Sequence, residues 1–165
     1  IKRIIVIANL LMVSRISIKP HVQKVLRTLW HEVCLYEGEN VKSATLDIYV
    51  VGEGKIKQVN KQYRGIDKVT DVVSLDFGVD ESGEKVAVIY IAAAGLKRVA
   101  LQMKHTFDQE LVFIALHGML HVWGHDHEHV DEEKKMLRAK EILLQNFPRY
   151  SPLLSTYRSR SLFDS

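Results

Sequence analysis

The chain of 165 residues contains one cysteine, Cys34, and three prolines. A single thiol excludes an internal disulfide framework and a cysteine-rich zinc ribbon, and a reducing, cytoplasmic setting is the natural expectation. Long apolar runs are also missing. The most apolar stretch, IKRIIVIANLLMVSRISI at the start, is interrupted by Asn9 and Arg15 and has no small-residue cleavage site after it. It therefore reads as a strand at the edge of a sheet, neither a signal peptide nor a membrane span. Nor does either charge dominate. Lys and Arg number 23 against 20 Asp and Glu, and the formal charge of +3 suits nucleic acid without diagnosing it. No repeat or low-complexity linker divides the chain, whose length fits one domain over residues 1–148 and a basic, Ser-rich tail over 149–165 that is expected to be loosely held.

Periodicity gives the elements. Strands are expected around Ile4–Ala8, Ala44–Val51, Thr70–Phe77 and Val86–Ile91, the last two joined by the turn-forming DESGE. A helix opens at Pro20 and buries Val22, Val25, Leu26, Leu29 and Val33 on one stripe, with Gly38 closing it. Further helices are expected over Glu53–Tyr63, over Ala92–Met103 despite Gly95, and over Asp131–Phe147, stopped by Pro148. Between the last two, Thr106 and Gln109 have capping-box spacing, and Leu111–Trp123 is apolar nearly all round, as a buried helix is. The fold class is α+β, α/β-like. A small mixed four-stranded sheet is packed with about five helices, and the central helix carries the metal ligands.

That central helix ends in HGMLHVWGHDH, which gathers four of the eight histidines into eleven residues, 117–127. His117 and His121 stand four apart and project from one face. Gly124 can end the helix in a left-handed conformation and turn the chain back, so that a third imidazole joins the pair. His127 is the first choice for that third ligand and His125 its competitor. A buried helix has little structural reason to hold several imidazoles, and three of them around one ion leave a fourth position for water, as catalytic zinc sites do. Nitrogen ligands favour one Zn2+ per chain, with nickel or another divalent ion able to bind in vitro. Asp126 either orients a ligand or caps the turn. His105 and His129 are expected to be solvated. Gly118 stands where a metalloprotease of the H-E-x-x-H type carries its glutamate, which argues against peptide hydrolysis.

His117, Gly118, Leu120, His121, Gly124, Asp126 and His127 together resemble the signature of the YbeY family of metal-dependent endoribonucleases. A second matching block, NKQYRGIDKVTDVVS, supplies Asn60, Tyr63, Arg64, Gly65, Thr70, Asp71, Val72 and Ser74. The resemblance spans roughly Asp47 to Asn146. It implies a zinc ion held by His117, His121 and His127, and an arginine important for activity at Arg64. It implies ribosomal RNA as substrate, in maturation of the 16S 3′ end and in ribosome quality control. The small ribosomal subunit and its proteins would be the partners, with neither membrane nor DNA.

On this reading His117 is catalytic as well as a ligand, Arg64 is catalytic and substrate-binding, and Asp71 and Ser74 bind substrate or position Arg64, a buried hydrogen bond at the start of the strand being their equal alternative. A guanidinium offers phosphate oxygens a permanent planar charge. Lys61, Lys68, Lys97, Arg98 and Lys104 are candidates for a basic path along the RNA backbone. Two departures from the family pattern bear on the substrate groove: Leu75-Asp76 replaces Phe-Pro, and Ala87-Val88 replaces Gly-Asp. The competing expectations are a ribosome-assembly factor whose metal is chiefly structural and a metallohydrolase of another substrate.

Overall fold

The computed structural model describes residues 5–12, 18–37, 41–125, 129–152 and 154, with backbone alone over 5–12. In chain order the elements are β1 (Ile5–Met12), α1 (Pro20–Glu37), β2 (Ser43–Val51), α2 (Glu53–Arg64), β3 (Val72–Val79), β4 (Glu84–Ala92), α3 (Ala93–Met103), α4 (Phe107–Val122) and α5 (Val130–Leu144). The five helices fall where periodicity puts them. Gly38, expected to close α1, lies outside the described residues.

The strands are ordered β1-β2-β4-β3. β1 runs parallel to β2, and β2 parallel to β4, while β3 and β4 form an antiparallel hairpin. The hairpin turn follows from DESGE. Asp80 Oδ1 accepts hydrogen bonds from the backbone N–H groups of Ser82 and Glu84, and Gly83 takes the left-handed conformation at φ +85°. Near the hairpin end β3 is irregular. Its register shifts between Asp76 and Val79, around a left-handed Gly78 whose N–H donates to Asp76 Oδ1 at 2.8 Å.

Side chains of β2 and β4 alternate, as a two-residue period demands. Ala44, Leu46, Ile48 and Val50, with Ala87, Ile89 and Ile91, point into the main core. The opposite face carries a smaller cluster in which Val51, Val73 and Ala92 meet Ile56 and Val59 of α2. α4 sits inside the main core and touches α1, α3, α5, β3 and β4. Being enclosed on all sides, it can be apolar all round. The start of the tail is better held than its composition suggests, since Tyr150 and Leu154 are both buried in the main core. The rest of 149–165 is mostly outside the described residues.

Candidate metal centre

The site begins with how α4 is started and stopped. The capping box is formed: Gln109 N–H donates to Thr106 Oγ1 at 3.1 Å, and Thr106 N–H donates to Gln109 Oε1 at 3.0 Å. At the other end Gly124 is left-handed at φ +86°, its N–H donating to the His121 carbonyl at 3.0 Å. The next N–H, that of His125, reaches back to the Leu120 carbonyl at 3.1 Å. Both signals are local, and both act as the residues imply.

Within this frame His117 is 3% exposed and His121 is half-buried. Their Nε2 atoms meet at 2.9 Å, and the rings stand edge to face with centroids 4.4 Å apart. Bonds from zinc to imidazole nitrogen run about 2.0–2.1 Å, so two nitrogens this close can share one cation. The donor set and its convergence fit such an ion. Among the described residues, however, no group of three or more His, Cys, Asp or Glu gathers to complete a site. His127 and Asp126 lie outside those residues. The competitor is engaged elsewhere: His125 Nε2 contacts Glu37 Oε1 at 2.5 Å, tying the turn after α4 to the end of α1.

One buried partner of the pair went unread in the sequence. Lys140, on the inner stripe of α5, places Nζ 2.9 Å from His117 Nδ1 and 4.9 Å from the centroid of the Phe113 ring. It is 7% exposed. Burial pushes its ammonium down to about 7, with Glu133 pulling the other way. The clue was available in the pattern, because Lys140 occupies an apolar position of α5 beside Met136, Ala139, Leu143 and Leu144.

Gly118 faces a different way. A Cβ built on it would stand 2.9 Å from Ser74 Oγ and 3.0 Å from Ile89 Cδ1, so this side of α4 lies directly on the sheet. A glutamate here would collide with β3 and β4. The missing carboxylate is thus a packing requirement as much as a chemical one.

Ser74 Oγ is buried at that contact and has no hydrogen-bond partner among the described residues. Asp71 does not pair with Arg64. Its carboxylate binds Arg98 Nη2 at 3.2 Å, and its carbonyl accepts from Ala92 N–H. Arg64 ends α2 and is exposed, with Gly65 turning the chain behind it at φ +74°. The loop it enters is braced by buried Asn60, whose Nδ2 donates to the Lys68 carbonyl at 2.9 Å. Lys61 of the expected basic path is tied to Asp67.

One further point differs from expectation. His105 is not solvated: Nδ1 contacts the buried Glu110 carboxylate at 2.5 Å. His129, in contrast, is exposed. The departure at Asp76 also has a structural use, because Asp76 Oδ1 binds buried Lys85 Nζ at 2.8 Å, and that amine lies over the Trp123 ring beside the end of α4.

The model of the endoribonuclease YbeY family matches residues 11–148. The chain belongs to the YbeY family. It is therefore a nuclease of the hydrolase class. A YbeY endoribonuclease of Bacillus cytotoxicus is 35% identical over 141 residues, covering 77% of this chain and 88% of the relative. One from Halalkalibacterium halodurans is 33% identical over 135 residues, covering 74% and 84%. One from Acholeplasma laidlawii is 38% identical over 100 residues, covering 61% and 72%. A solution structure of the TM1509 protein from Thermotoga maritima shares the fold, with a TM-score of 0.51 at 22% identity and 99% of each chain covered. No helix among the described residues is long and apolar enough to cross a membrane.

Proposed function

We propose that this chain is a zinc-dependent, single-strand endoribonuclease of ribosomal RNA, working in the cytoplasm on the 16S 3′ end and in ribosome quality control. The observation that carries the reading is the meeting of His117 and His121 Nε2 at 2.9 Å on a helix that is otherwise apolar. His117, His121 and His127 are the residues that would hold the ion. A bound divalent cation supplies Lewis-acid polarisation of a phosphoryl oxygen and a water of lowered pKa. His125, the competitor for the third place, is held by Glu37.

The remaining work falls to the chain. Arg64 offers an exposed guanidinium, unpaired among the described residues, for two phosphate oxygens at once. Asp71 holds the Arg98 side chain, setting a second guanidinium near the start of β3. Ser74 contributes from beneath, where its small side chain lets β3 approach α4 at Gly118. Ribosomal RNA and the small ribosomal subunit are the expected partners.

The test is RNA cleavage by wild type, His117→Ala and Arg64→Ala prepared side by side, with metal analysis of each. Wild type should carry about one zinc per chain, as one open site requires. His117→Ala should lose metal and cleavage together, whereas Arg64→Ala should keep its metal and lose cleavage. Full activity of metal-free wild type in chelator would overturn the proposal, and undiminished cleavage by Arg64→Ala would remove that residue from the mechanism.

A further inference from the structure

The buried stripe of α2 consists of Ile56, Val59 and Asn60, and Asn60 is only 2% exposed. Asparagine favours a helix poorly, and burying its amide is costly without a partner. A leucine would fill the position without either cost. The amide's use lies beyond the helix end. Asn60 Nδ2 donates to the Lys68 carbonyl at 2.9 Å, an orientation fixed because a carbonyl can only accept. The backbone carbonyl of the same residue accepts the Ile66 N–H at 3.4 Å, just after left-handed Gly65. Asn60 thus holds the chain behind Arg64 at two points, Ile66 and Lys68. Among the described residues little else anchors this loop. Ile66 and Val69 are 47% and 46% exposed, and Lys57 and Lys61 reach Asp67 only through exposed ion pairs.

We propose that Asn60 is a positioning residue for Arg64, fixing the end of α2 so that the guanidinium is presented in one place. The proposal rests on the reading of Arg64 as a phosphate-binding residue. A guanidinium fork meets two phosphate oxygens at once only when its stem is held in register with them. The buried amide supplies that hold from inside the helix, leaving the outer surface of the loop free.

Trypsin cleaves after Arg64, so nicking of the purified native protein reads the loop independently of catalysis. In wild type the bond after Arg64 should resist although the residue is exposed, and rapid nicking there would overturn the proposal. Asn60→Leu removes the amide at similar volume, and Asn60→Asp keeps the shape without the N–H donor. Both should keep their zinc and be nicked after Arg64 up to about tenfold faster, as loss of one hydrogen bond implies. Both should lose up to about 100-fold in RNA cleavage, the effect that a misplacement of about 1 Å can have. An Arg64→Lys background carries a point charge on a flexible stem, and there Asn60→Leu should cost much less. The loss in Asn60→Leu should also divide between kcat and KM as that of Arg64→Lys does. Equal fold losses in both backgrounds, or a different division, would overturn the proposal and leave Arg64 in its role. Unchanged cleavage by both Asn60 variants would do the same. Undiminished cleavage by Arg64→Ala would remove the reading of Arg64, and the proposal with it.

Discussion

Ser74 Oγ lies 2.9 Å from where a β-carbon on Gly118 would stand, so the helix with the paired imidazoles rests on β3 with no room for a side chain between them. Gly118→Ala should therefore destabilise the protein by about 1–3 kcal/mol through overpacking. Helix propensity alone predicts the reverse, a gain of about 1 kcal/mol. Adding Ser74→Ala should recover part of the loss, because the hydroxyl it removes has no hydrogen-bond partner among the described residues. Urea unfolding of the two single variants and the double variant measures this, and a stabilised Gly118→Ala would refute the contact.

Gly95 reverses propensity in the same way. A β-carbon there would stand 2.1 Å from Asp71 Oδ1, and the carboxylate could move away only by loosening its bond to Arg98. We expect Gly95→Ala to lose about 1–3 kcal/mol instead of gaining about 1. A double variant with Asp71→Ala should restore most of it. Additive losses in the thermal melts of the three proteins would show that the two residues do not compete for this space.

Partly buried His105 and buried Glu110 form a pair at the start of α4. Glu110→Ala leaves the histidine without that partner and should cost about 1–3 kcal/mol, the cost of a lost hydrogen-bond partner. Zinc content of the folded fraction should not change. Loss of metal at full stability would tie this pair to the site instead.

Cys34 is fully buried, and burial pushes its thiol from 9.0 to about 12, with Lys85 opposing the shift. A thiol harder to ionise in the folded state contributes its full stability below its unfolded value of 9.0 and loses it as pH rises through about 12. Stability should therefore decline in that alkaline window, and less steeply in Cys34→Ala. Alkylation of the native protein at neutral pH should be slow, and rapid labelling without unfolding would contradict the burial.

What could be read in advance was what neighbours along the chain decide. Thr106 and Gln109 are three residues apart, and Gly124 follows the last turn of α4, so the limits of the site helix were legible. The imidazole pair was legible for the same reason, since a spacing of four fixes its geometry on any helix. Gly95 and Gly118 were not, because the atoms that exclude their side chains belong to β3, β4 and the residue just before β3. Lys140 was hidden by the same non-locality: its burial depends on α5 closing over α4. His105 was misread although Glu110 is only five residues away, because the chain leaves one helix and enters another between them.

The irregular end of β3 has a bearing on solubility. β3 is an outermost strand, and Phe77 and Val79 are exposed there, so a straight ladder would offer neighbouring molecules an adhesive strip of unpaired amides and apolar side chains. The kink at Gly78 breaks that strip where it would be stickiest. Removing Gly78 would repair the ladder and turn a guarded margin into a template for intermolecular stacking.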